Sequence, residues 1–299
     1  MSTINPVKFQ STINYSKPKT NVSFKKDETK NEAEKSNKLP ALLLTTAALG
    51  LGVFGYVKLK KSDNAFFEKN LKSLEQAQTY LKNIFGKDYT IDETKNILDR
   101  YKELDSIADN KEFLNKLFEQ LKKDFKAENK NLSLEIWDNA KPVDNGVFRG
   151  YTEALSRKIG VANLPNRLDA VESIFHEFRH IKQNELMYRT DRARLAMQKV
   201  VELEKSNNQS YQKILRNAGG DKEKARKVIL EEVETVYQEN WGHLQPLSKD
   251  SAEYSMGLKY LENEENRIPA GDDYYKQILE KEAKFVGENA KKLFNIFKK

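Results

Sequence analysis

Between Val171 and Ile181 the apolar residues Val171, Ile174, Phe175, Phe178 and Ile181 recur at intervals of three and four, the period of a helix with one apolar face. A helix patterned in this way has to bury that face, so the rest of the chain must supply a core for it. His176 and His180 fall on the far side of the same helix, one turn apart, and they are two of only three histidines in the sequence. Side chains four residues apart on a helix lie one above the other, so both imidazoles can converge on one point, with Glu177 beside the first.

This spacing suits a metal ion. Two imidazoles supply ligands, and the adjacent carboxylate can serve an open coordination position. The segment Ile174-Phe175-His176-Glu177-Phe178-Arg179-His180-Ile181 resembles the zincin metallopeptidases through its His-Glu-x-x-His pattern, over about residues 165 to 185, with a weaker echo near 260 to 275. The resemblance implies a Zn²⁺ cofactor held by His176 and His180, Glu177 as general base, and a peptide or protein substrate. Bound zinc lowers the pKa of water toward neutrality and polarises a carbonyl, and a carboxylate can carry the proton to the leaving amine.

A third ligand must come from elsewhere. Glu185 lies about 140° round the helix from His180, and the position of a third histidine in the metzincin branch is occupied by Leu186. The gluzincin branch implies a glutamate from a following helix. Between Ser251 and Ile268, Tyr254, Leu258, Leu261 and Ile268 form an apolar stripe with Glu265 in its middle, flanked by Glu262 and Glu264. A carboxylate aimed into a core needs a partner, because burying it unpaired costs several kcal/mol. Glu265 is therefore the expected third ligand, with Glu264 next. His243, in the stretch Trp241-Gly242-His243-Leu244, and Tyr260, Tyr274 and Tyr275 are candidate donors to a developing oxyanion. Asp272 and Asp273 are candidates either for holding a ligand histidine or for capping the last helix.

The chain divides into four parts. Residues 1–38, rich in Ser, Thr, Asn and Lys without an apolar period, are expected to form a disordered basic tail. Leu39–Val57 is a run of nineteen uncharged residues bracketed by Lys38 and Lys58. At about 1.5 Å per residue it nearly matches the ~30 Å hydrocarbon core of a bilayer, which predicts a single transmembrane helix and a single-pass membrane protein of undecided orientation. A buried hydrophobic hairpin is the alternative. Residues 58–130 are expected to be a helical support, with stripes at Phe67, Leu71, Leu74, Leu81 and Phe85, at Ile97, Tyr101, Leu104 and Ala108 behind a Thr90/Glu93 capping box, and at Leu114, Leu117, Phe118, Leu121 and Phe125.

Residues 131–299 are the expected zincin-like metallopeptidase domain. Leu132, Leu134 and Ile136 alternate with polar residues, and two further strands are predicted near Val147–Thr152 and Ser156–Val161. The resemblance implies that Val147–Ala162 contains an edge strand that holds substrate. A helical insert is expected at about Asp191–Tyr237, broken at Gly219-Gly220, and a last helix carries Leu279, Ala283, Val286, Ala290, Leu293 and Phe297. The expected fold class is α+β, mainly α, with a small sheet and the histidine-bearing helix, preceded by a helical segment and the transmembrane helix.

Charge and composition narrow the functions. The net charge of +7 comes from residues 1–38, with eight Lys against four acids, and residues 58–72, with five Lys against two, so the remainder is neutral. A nucleic-acid groove would need a basic stripe with interleaved aromatics, and no nucleic-acid partner is expected. The absence of cysteine excludes disulfides, thiolate zinc sites and cysteine nucleophiles. The sequence thus points to a membrane-tethered zinc metallopeptidase. Its rivals are a non-catalytic, membrane-anchored zincin-like protein that binds metal or peptide, and a helical scaffold in which the motif is accidental.

Overall fold

The computed structural model describes residues 61–127, 131–143, 146–153, 158–206, 209–267 and 276–296. The support helices are α1 (Lys61–Phe85), α2 (Ile91–Asp105) and α3 (Asn110–Asp124). Their ends are set locally. Thr90 and Glu93 form the expected capping box at the start of α2, and Asp109 caps α3 by accepting from the Glu112 amide.

Five short strands follow among the described residues: β1 (Ser133–Asp138), β2 (Lys141–Val143), β3 (Gly146–Phe148), β4 (Gly150–Thr152) and β5 (Lys158–Asn163). They form a three-stranded sheet in the order β1-β5-β4, with β1 parallel and β4 antiparallel to β5, and a separate β2–β3 hairpin. Tyr151 of β4 lies over Gly160, where a Cβ would meet its ring at 2.0 Å, so only glycine allows β4 this approach to β5.

The long helix α4 (Arg167–Ser206) runs through the molecule with one break at Asp191 (φ −154°, ψ 89°). There the Asp191 carboxylate accepts from the Arg194 amide at 3.0 Å, so the side chain restarts the helix as a cap would. The expected insert is the second half of α4 with α5 (Gln209–Asn217) and α6 (Lys222–Trp241), which are separated by Gly219 and Gly220 at φ 72° and 84°. Then come α7 (Ala252–Glu265) and α8 (Ile278–Asn295).

Two apolar cores result. The first joins Leu81, Tyr101, Phe113 and Leu117 of the support helices to Val161 of β5, to Val171–Ile181 of α4 and to Val286–Phe294 of α8. Within it Phe178 stacks on Phe125, with centroids 5.6 Å apart, and Phe175 packs on Phe294 at 6.2 Å. The second core gathers Met187–Leu203 of α4 with α5, α6, α7 and Leu279. The seam between them crosses α4 between Ile181 and Met187 and α8 between Leu279 and Val286.

The expected fold class is corrected by this architecture. The molecule is mainly helical, with eight helices among the described residues, and its strands are too few and short, three to six residues each, for a sheet to carry the fold. The membrane expectation is corrected too. No helix among the described residues is long and apolar enough to cross a membrane, since each of 18 residues or more carries charged residues along its length. The run Leu39–Val57, on which the single-pass location rested, lies outside the described residues, as does the basic tail 1–38.

Candidate metal centre

The site lies beside the seam, on the side of the first core, where α4 and α8 pack closely. Small residues on α8 permit the approach: Ala283 and Ala290 are fully buried, and a Cβ on Gly287 would stand 2.6 Å from the carbonyl oxygen of Glu172. One turn before Ala283 on the same helix, Glu280 is carried to the two histidines. Its carboxylate gives one oxygen to each, Oε2 to His176 Nε2 at 3.4 Å and Oε1 to His180 Nε2 at 3.5 Å, while the two Nε2 atoms are 3.1 Å apart.

His176, His180 and Glu280 form a group whose ligand atoms all lie within 4.8 Å of one another. Ligands about 2.0–2.1 Å from a tetrahedral zinc ion would be spaced about 3.3 Å from each other, and the three separations of 3.1, 3.4 and 3.5 Å bracket that value. Two imidazoles and a carboxylate are also a donor set that zinc accepts. The residues present therefore fit such an ion.

The electrostatics of the group follow from its burial. Burial alone would raise the Glu280 carboxyl, but the imidazoles of His180 and His176 hold it well below the usual carboxylate range. Burial disfavours a charged His180, yet Glu280 and Glu177 together with the hydrogen bond that its Nδ1 donates to Gln183 push it up to about 9. A metal ion bound here would displace a proton from His180.

Glu177 is 6 % exposed. Its carboxyl is raised, first by burial, against the opposing charges of His176 and His180 and a hydrogen bond donated by Thr152. The Thr152 hydroxyl lies 2.8 Å from Glu177 Oε2 and 3.1 Å from its carbonyl oxygen. Gly150, two residues earlier on β4, leaves room for Oε1, which would stand 2.7 Å from any Cβ there. The edge strand β4 thus clamps the carboxylate from above.

Other expected residues lie elsewhere. Glu265 is exposed at the end of α7 and accepts from Arg194 Nε and Nη2, each at 2.7 Å. Periodicity misplaced it for two reasons. The buried face of α7 runs through Gly257, Tyr260 and Leu261, so Glu265 is turned outward, and the helix stops at Glu265 with Asn266 as its C-cap. Glu264 does point inward, but Lys199 at 2.8 Å and Arg267 at 3.4 Å hold it. Glu185 is buried against Lys182, at 2.6 Å. His243 is exposed in the turn after α6 and outside the ligand group. Tyr260 is fully buried, donating its hydroxyl to Glu282 and accepting from Arg179 Nη2 at 3.0 Å. Asp272, Asp273, Tyr274 and Tyr275 lie outside the described residues.

Glu280, Thr152 and Gln183 were missed by sequence reasoning. For Glu280 a signal existed: it borders the small-residue stripe Ala283, Gly287 and Ala290, so a carboxylate there was due for burial. Thr152 had none, because its role depends on where β4 crosses α4.

No protein-family model matches the chain, and no curated protein or solved structure matches it either.

Proposed function

We propose that this chain is a zinc-dependent peptidase in which His176, His180 and Glu280 hold the metal and Glu177 is the general base. The observation that carries this reading is the convergence of those three ligands at zinc-compatible spacing beside a buried glutamate that adjoins the first of them. A zinc ion bound there would supply Lewis acidity toward a substrate carbonyl and lower the pKa of water toward neutrality.

The chain's own residues provide the rest. His176 and His180 present their Nε2 atoms to the same point as Glu280, from two helices joined by a tight contact. Glu177, raised by burial, has a basicity better matched to proton transfer near neutral pH than an exposed carboxylate. Thr152 holds one of its oxygens, which keeps the carboxylate oriented as the proton moves to the leaving nitrogen.

The test is hydrolysis of a mixed peptide library by full-length protein supplied with zinc. Glu177→Gln is expected to keep the metal and lose at least a hundredfold in rate, within the range ascribed to a general base, about 10²–10⁴. Undiminished hydrolysis by Glu177→Gln would overturn the catalytic assignment. Stoichiometric zinc with no cleavage by the wild type would favour a metal-binding protein without turnover.

A further inference from the structure

We propose that Gln183 is a positioning residue that fixes which nitrogen of His180 faces the metal. The inference rests on the metal-centre reading above.

Gln183 lies one turn beyond His180 on α4 and is 1 % exposed, so its amide has no access to solvent as an alternative partner. Its Nε2 donates to the carbonyl oxygen of Leu279 at 3.0 Å and faces Glu282 Oε2 at 3.4 Å. Both of these are acceptors. Turning the amide over would set Gln183 Oε1 against a carbonyl and a carboxylate oxygen, two repulsive contacts in a buried place, so the orientation is determined.

Glu282 is itself held. It accepts from Arg179 Nη2 at 2.9 Å and from the Tyr260 hydroxyl, so it cannot swing away to relieve a reversed amide. With Nε2 committed, Gln183 Oε1 is left facing His180 Nδ1 at 2.8 Å. An amide oxygen only accepts, so Nδ1 must carry the hydrogen. In the neutral ring Nε2 then bears the lone pair, and Nε2 is the atom that faces His176 and Glu280. The amide also ties the start of α8, through Leu279, to the histidine on α4 that shares the metal with Glu280 of that same helix.

The experiment uses full-length protein with isotope-labelled histidine, loaded with Cd²⁺ as a spectroscopic substitute for zinc. A long-range proton–nitrogen correlation spectrum identifies the coordinating nitrogen of each ring through its coupling to cadmium. In the wild type His180 is expected to bind through Nε2 with hydrogen on Nδ1. Gln183→Met preserves length and volume but removes the acceptor. It is expected to bind Cd²⁺ about ten- to a hundredfold more weakly and to give a His180 signal divided between the two nitrogens or broadened by exchange. Gln183→Asn, which retains an amide but withdraws it by one methylene, is expected to behave likewise, and serves if the first variant fails to fold.

A folded variant with wild-type cadmium affinity and a sharp Nε2-bound His180 would overturn the role of Gln183 while leaving the metal centre intact. A wild type that takes up no Cd²⁺ at His176 and His180 would overturn the metal centre, and this inference with it.

Discussion

If zinc is held jointly by α4 and α8, it should stabilise the fold through Glu280 and be indifferent to Glu265. His176 and His180 belong to one helix, so only Glu280 makes the ion a tie between two helices. At free zinc a hundredfold above the dissociation constant, binding to the folded state adds about 2.7 kcal/mol. For a folded body of about 150–250 residues, the range into which the described residues fall, each kcal/mol moves the melting midpoint by about 2–4 °C, so zinc should raise it by roughly 5–11 °C over a chelator-treated sample. Glu280→Gln removes the charged ligand and the link to α8. A loss of tenfold or more in affinity is about 1.4 kcal/mol, which should reduce the zinc-dependent rise to half or less at the same zinc concentration. Glu265→Gln should keep the full rise, because that carboxylate is engaged by Arg194 on the outside of α7. The assay is paired thermal unfolding with zinc and with chelator, and only the difference within each variant is compared, so changes in metal-free stability cancel. A full rise in Glu280→Gln together with its loss in Glu265→Gln would refute the ligand assignment.

Two further outcomes test the packing and charge around the site. Gly287→Ala gains about 1 kcal/mol of helix propensity but places a Cβ 2.6 Å from the Glu172 carbonyl oxygen. The α4–α8 contact must open, and denaturant unfolding should show a net loss of about 1–2 kcal/mol; an unchanged or higher midpoint would count against the close contact. Glu264 is lowered to about 2, burial being outweighed by Lys199 and Arg267. Because its folded pKa is depressed from 4.5, its contribution of about 3 kcal/mol is present above pH 4.5 and disappears as pH falls through about 2. The stability gap between wild type and Glu264→Gln should therefore close across that acid window, and a gap independent of pH would contradict the buried Lys199–Glu264 pair.

Much of the helical framework was legible because helix signals are local. The Thr90/Glu93 box, the apolar stripe of α3, the break at Gly219-Gly220 and the apolar face of Val171–Ile181 depend on residues within a turn or two of each other. Strands β1 and β5 were legible in position, but β2 was not expected, β3 and β4 read as one strand, and the sheet was overstated as architecture, since alternation reports exposure on two faces and not how many strands will assemble. Stripe counting failed at α7, where one more turn was assumed than the helix makes and the inward face ran through Gly257 and Tyr260. The carboxylate that does lie among buried positions is Glu280 on the next helix, which stripe counting passed over.

The pair His176 and His180 is a property of sequence, because a four-residue spacing on a helix brings two side chains together whatever surrounds them. So is the division of that helix into an apolar and a polar face. The partner carboxylate was decided only in three dimensions. Glu280 lies about a hundred residues beyond His180, and what brings it there is the register of α8 on α4, set by Ala283, Gly287 and Ala290 and by the first core beneath them. The same holds for the Thr152 hydroxyl over Glu177 and for the amide of Gln183 wedged between His180 and Leu279. Local spacing fixes what one helix can offer; close packing between helices chooses which distant group is placed to meet it.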